Sequence, residues 1–151
     1  MAGLTLASGA TLIFDDATIQ TTRPLFRVEK CGITFESFGA NPATLHTIPA
    51  GSILILAQIN VTAGFNGADL TLTVGDAGDA DGILTTAVIA PAATGWKVSA
   101  IANLGAYLLA AGAWVFKGYT TATAITCTRG GAAGTAGAAD IYLVYATMDA
   151  Y

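Results

Sequence analysis

Ser52-Ile-Leu-Ile-Leu-Ala-Gln-Ile-Asn-Val-Thr62 alternates with the two-residue period of an extended strand. Ile53, Ile55, Ala57, Ile59 and Val61 fall on one side and are apolar throughout. Leu54, Leu56, Gln58, Asn60 and Thr62 fall on the other, which turns polar halfway, the pattern of a strand running out of a covered region into water. Asp69–Val74 repeats the alternation, with Leu70, Leu72 and Val74 inward and Asp69, Thr71 and Thr73 outward. Ile141–Thr147 is rich in the β-branched and aromatic residues that suit a pleated surface.

Working outward, further strands are predicted over Thr11–Asp15, Ala17–Thr21, Leu25–Glu29, Gly32–Glu36, Leu45–Ile48, Ile83–Ile89, Trp96–Ile101, Trp114–Tyr119 and Ala124–Arg129. Ile48-Pro-Ala-Gly51 is a tight turn, and 64–67 and 130–137 are loops. The second loop, Gly-Gly-Ala-Ala-Gly-Thr-Ala-Gly, has no large side chain; it is either mobile or lies flat against another backbone. A short helix or helical turn is allowed over Ile101–Ala111, where Ile101, Leu104, Leu108 and Leu109 partly fit helical spacing and Gly105 weakens it. Many short strands joined by Gly- and Pro-bearing turns read as an all-β protein, an antiparallel β-sandwich of jelly-roll type. Residues 1–22 read as a separate extended N-terminal β-arm and 23–151 as the sandwich domain, divided at Arg23-Pro24 because proline restricts the residue before it to extended backbone.

Composition narrows the function. Of 151 residues, 54% are hydrophobic and only 11% charged, against about 25% charged in an ordinary soluble domain. Contiguous apolar surface is unfavourable in water, so such a chain is expected to have much of its exterior covered by partners. A net charge of −4 with six basic residues argues against nucleic acid as a ligand, since phosphate binding needs clustered Lys and Arg. Arg23, Arg27 and Lys30 lie close together, as a solvated strand face or a small docking patch. Two cysteines, Cys31 and Cys127, are too few for a disulfide scaffold; they read as buried thiols, with a single bridge as the alternative. The first residues lack the basic region of a signal peptide. Val98–Phe116 is uncharged and long enough to span a bilayer, but its Ser99, Asn103, Gly105, Gly112 and many alanines argue against a membrane.

Little in the chain points to catalysis. The single histidine, His46, lies in an alternating segment and reads as a packed or surface residue. Glu29 and Glu36 do not mark an acid–base pair, and neither a phosphate-binding glycine loop nor a CxxC pair is present. Asp76, Asp79 and Asp81 place three carboxylates within six residues. They are candidate ligands for Ca²⁺, which takes oxygen donors from a bent loop, although the glutamate closing an EF-hand is missing; the other reading is a turn in which Asp side chains accept backbone N–H groups. No other cofactor is expected. Trp96, Trp114, Tyr107 and Tyr119 could line one region, as core or interface packing or as a glycan platform.

Two stretches resemble bacteriophage virion proteins. Gly9-Ala-Thr-Leu-Ile-Phe-Asp-Asp-Ala-Thr-Ile-Gln-Thr-Thr22 is similar to a segment that recurs in phage tail-fibre and related appendage proteins, through Phe14, Asp16, Thr18, Ile19, Gln20, Thr21 and Thr22; Ala17 stands where that segment usually has glycine. Ile48–Thr62 followed by Leu72-Thr-Val-Gly-Asp-Ala-Gly-Asp-Ala-Asp-Gly-Ile-Leu84 is similar to β-sandwich domains of small phage structural proteins. Together they cover about a third of the chain. The resemblance implies a non-enzymatic homotrimeric virion protein: a capsid decoration (cement) protein, a head fibre or a tail component, the last binding a receptor or glycan. Its implied partners are copies of itself and the major capsid protein or other virion proteins, not nucleic acid or membrane. It would be assembled in the host cytoplasm and exposed on the particle surface. Extended arms attach by adding a strand to a neighbour, and Leu12, Phe14, Ile19 and Gln20 are the expected partner-binding residues of such an arm. A hairpin folded onto the same domain is the alternative for residues 1–22.

Overall fold

The computed structural model describes residues 24–85, 92–97 and 104–148. The predicted strands Thr11–Asp15 and Ala17–Thr21 and parts of Ile83–Ile89 and Trp96–Ile101 lie outside them, as do Leu12, Phe14, Ile19 and Gln20. Among the described residues ten strands follow in order: β1 (Pro24–Thr34), β2 (Ala43–Ile48), β3 (Ser52–Ala63), β4 (Thr71–Gly75), β5 (Gly95–Trp96), β6 (Leu109–Ala110), β7 (Ala113–Trp114), β8 (Lys117–Tyr119), β9 (Thr123–Gly130) and β10 (Ala138–Met148). A 3₁₀ turn, Phe35–Gly39, follows β1.

All pairings are antiparallel. A large sheet runs β1-β10-β3-β5, with β8 also on β3; a smaller one runs β2-β9-β4; β6 and β7 form a hairpin. The protein is an antiparallel all-β sandwich, held by one apolar core between the two sheets. From the large sheet, the rows Cys31–Ile141–Ile59 and Ile33–Ala139–Val61 point inward across β1, β10 and β3. From the small sheet, Ala43, Cys127 and Val74 form one inward row, joined by Leu72, Ile125 and Ile48. Both cysteines are free and buried, and burial pushes the Cys127 thiol up to about 12.

The predicted strands around Ser52, Leu70, Leu45, Ala124 and Ile141 are all present, but the facing of the first is corrected. A β-bulge interrupts the β3–β10 register where Leu56 pairs with Val144 and Leu54 with Tyr145. The extra residue, Ile55, reverses the pleat. Ala57, Ile59 and Val61 therefore face the core as expected, whereas Leu54 is buried and Ile53 is 39% exposed. Leu25–Glu29 and Gly32–Glu36 are not two strands: β1 runs unbroken to Thr34 because β10 pairs with it at every position. Trp114–Tyr119 is divided between β7 and β8.

Over the described part of Ile101–Ala111 the allowed helical turn is present and no longer helix forms: Leu108 N and Leu109 N both donate to the Gly105 carbonyl (3.0 Å each). Leu104 bridges to Leu84, and Gly105 donates its N–H to the Ile83 carbonyl (3.0 Å), which anchors the start of the turn against that backbone. Ala111 and Gly112, both at positive φ, then make the two-residue turn between β6 and β7. Among the described residues no helix is long and apolar enough to cross a membrane. The glycine-rich loop lies flat against backbone. Asn66 Oδ1 accepts from Thr135 N (2.8 Å) and Ala136 N (3.1 Å), and Ala132 N donates to Ala68 O (3.0 Å). A Cβ on Gly67 or Gly131 would collide with the opposing carbonyls of Ala132 and Asp69.

Candidate interaction surface

The register that builds the core also fixes the opposite face of the large sheet. Successive rows across β1, β10, β3 and a short outer strand are Phe26–Ala146–Ile53–Gly118, Val28–Val144–Leu56, Lys30–Tyr142–Gln58 and Gly32–Asp140–Asn60–Trp96. The first two rows carry no polar side chain. The last two are polar or aromatic: Lys30 makes an ion pair with Asp140 (2.9 Å), and Trp96 packs on Tyr142 with ring centres 5.2 Å apart. The outward face is therefore half apolar and half polar, divided along β3 much as the Leu54–Thr62 alternation anticipates.

In β1 the binary pattern is inverted. Phe26 and Val28 are each 66% exposed on the outward face, while Arg27 and Glu29 share the side of Cys31 and Ile33. Alternation alone would send Phe26 and Val28 inward, so the exposed pair is not legible without the register. Beyond β1 no strand pairs among the described residues, leaving an edge of eleven residues. Arg27 and Lys30, part of the predicted basic cluster, point to opposite faces of this strand, and Lys30 is already paired.

The Asp-rich turn is organised around Asp76, which is buried. Its Oδ1 accepts from Gly78 N (2.8 Å), Asp79 N (3.2 Å) and the Tyr107 hydroxyl (2.9 Å). Asp79 Oδ1 accepts from Asp81 N (3.4 Å), and a hydrogen bond with Asp79 holds the Asp81 carboxyl above the usual carboxylate range. Among the described residues no three His, Cys, Asp or Glu side chains group so as to hold a metal. Asp76 also lines an open cleft with Lys117, Tyr119, Thr121 and Thr123. The Lys117 ammonium lies 3.8 Å from the centre of the Tyr107 ring and 5.9 Å from that of Tyr119. Burial raises both phenols most; the hydrogen bond to Asp76 then helps hold Tyr107 up at about 12, and the charge of Asp76 adds to the rise of Tyr119.

The structure thus separates the aromatic set. Tyr107 and Tyr119 flank Lys117, Trp96 stacks on Tyr142, and Trp114 sits opposite Leu109 in the β6–β7 hairpin. His46 bridges the two sheets, its Nε2 3.1 Å from the Tyr145 hydroxyl; this is a packed histidine bound to a phenol.

No family model matches the chain, and no curated protein matches it. Among solved structures, a chain of the one titled "Cyanophage Pam1 capsid asymmetric unit" has a similar fold, at a TM-score of 0.56 and 18% identity. The likeness covers 95% of this chain and 97% of that one, so the two are of nearly equal length.

Proposed function

We propose that this chain is a structural protein of a phage virion, a homotrimeric capsid decoration (cement) subunit that binds and stabilises the head. The observation that carries the reading is the end-to-end fold correspondence with a chain of a phage capsid unit. Three features of the chain support it. Charged residues are 11% of the total, too few to solvate a free surface of this size. Two large apolar side chains of β1, Phe26 and Val28, are exposed on the outward face. An N-terminal stretch with alternating apolar residues precedes an open edge strand.

Function here is adhesion. The arm adds a strand to a subunit of the shell, main-chain hydrogen bonds supplying affinity and Leu12, Phe14, Ile19 and Gln20 supplying register. Neither bond type depends on salt as ion pairs do, which suits a particle that must persist outside the cell. The partners are copies of the chain and the major capsid protein, and no catalytic step is assigned. Deleting residues 1–22 is expected to abolish attachment to undecorated heads, measured by co-sedimentation, while leaving the far-ultraviolet spectrum of the sandwich intact. Undiminished attachment of the truncated protein would refute the arm.

A tail-fibre component that binds a receptor or glycan is the second reading. It draws on Trp96, 53% exposed, packed on Tyr142 and opposite Asn60.

A further inference from the structure

We infer that the two apolar rows of the outward face, Phe26–Ala146–Ile53 and Val28–Val144–Leu56, together with the open edge of β1, are the surface on which a second copy of this chain docks. The inference rests on the reading of the chain as an assembling virion subunit, and it names the surface that reading leaves unassigned.

Four observations select this face and this occupant. First, Phe26 and Val28 stand in water at 66% exposure each, beside an exposed Arg27 and a half-buried Glu29, so this end of β1 is uncovered on both sides. Two large apolar side chains held in water on one side carry a hydration cost that a cover removes. Second, the rows carry no ionisable group; on the same face Lys30 and Asp140 neutralise each other at 2.9 Å, and along the β1 edge Arg27 and Glu29 are of opposite sign. Two chains of net charge −4 can meet there without bringing like charges together.

Third, area calls for face and edge together. Apolar patches on lone domains reach a few hundred Å², whereas a stable interface takes about 800 Å² from each partner. The eleven-residue edge of β1, continuous with the patch through Phe26 and Val28 and unpaired among the described residues, supplies main-chain groups for the remainder. Fourth, the chain outside the described residues leaves from this end: Pro24 pairs with Met148 beside the first apolar row. Copies that share the face therefore bring the starts of their N-terminal segments together. One assembly then presents several arms to a shell, and linked arms bind far more tightly than single ones.

The test is the native mass of the full chain by light scattering, without any viral component. The unmodified protein should have a multiple of its 15.2 kDa chain mass, and Phe26→Asp/Val28→Asp should reduce it to a single chain while keeping its β spectrum. Both side chains are mostly in water in the isolated chain, so the fold should tolerate the change. Ile53→Glu, at the far side of the first row, provides an independent variant with the same expected loss, and Gln58→Glu in the polar half should leave the mass unchanged. A single-chain mass for the unmodified protein, or an undiminished assembly in the Phe26/Val28 and Ile53 variants, would overturn the inference; the first result would mean that a shell subunit covers the face instead. Attachment to heads is scored separately: a protein that assembles through this face and ignores heads contradicts the decoration reading alone.

Discussion

Ile141→Ala is expected to destabilise the protein by about 2–5 kcal/mol, a large fraction of the stability of a domain this size. Ile141 is fully buried on β10, the strand flanked by β1 and β3, with Cys31 and Ile59 as its row partners on either side. Both neighbours are held by ladders, so the walls cannot close around the lost atoms, and the cavity adds to the lost transfer energy. The comparison is Val28→Ala on the outward face. With Val28 66% exposed, its truncation should change the stability of the isolated chain by no more than about 0.5 kcal/mol. Urea unfolding of both variants as single chains measures the facing of the large sheet. Equal losses would mean that the register is wrong.

Asp76→Ala should cost about 2 kcal/mol. The side chain is not a surface turn residue: one carboxylate oxygen holds two backbone N–H groups and the Tyr107 hydroxyl. Truncation leaves Gly78 N and the Tyr107 hydroxyl without that acceptor, each worth about 1 kcal/mol or more, while Asp79 N keeps the Asp76 carbonyl (3.2 Å). Asp76→Asn keeps an oxygen there and should recover about half of the loss. The same substitution has a second readout. The Tyr107 phenol is held at about 12, first by burial and then by Asp76. Its ordinary value is 10.0, so the folded state favours the neutral phenol; that stabilisation is complete below pH 10 and fades as pH rises towards 12. In the Asp76→Ala protein, phenolate absorbance should appear at lower pH, and stability should fall less steeply over the same interval. An unchanged phenol titration would show that Tyr107 does not depend on Asp76.

Much of the fold is legible in the sequence because a half-buried sheet writes its period into the chain. Leu72 and Val74, and Ala57, Ile59 and Val61, are all buried where alternation places them. The errors have local causes. Apolar residues at every position from Ile53 to Ala57 hide a bulge, since either parity reads as a core face. The helical spacing of Leu104, Leu108 and Leu109 yields a single turn on Gly105, which positive φ at Ala111 and Gly112 ends in a hairpin. The Asp cluster was readable as a turn or an ion site. What the sequence withholds is that Asp76 points inward to Tyr107, thirty-one residues away. The interaction surface was the least legible part. Phe26 and Val28 look like core residues until β10 is paired beside them, and only the cross-strand register gathers them with Ile53, Leu56 and Val144.

On the decoration reading proposed above, this chain is an abundant component of the phage head. The most direct measurement is its stoichiometry in purified particles, by quantitative mass spectrometry against the major shell subunit. Decoration requires a fixed ratio to that subunit, in emptied heads as well as in complete particles. A few copies per particle that separate with the tail, or none at all, would contradict it.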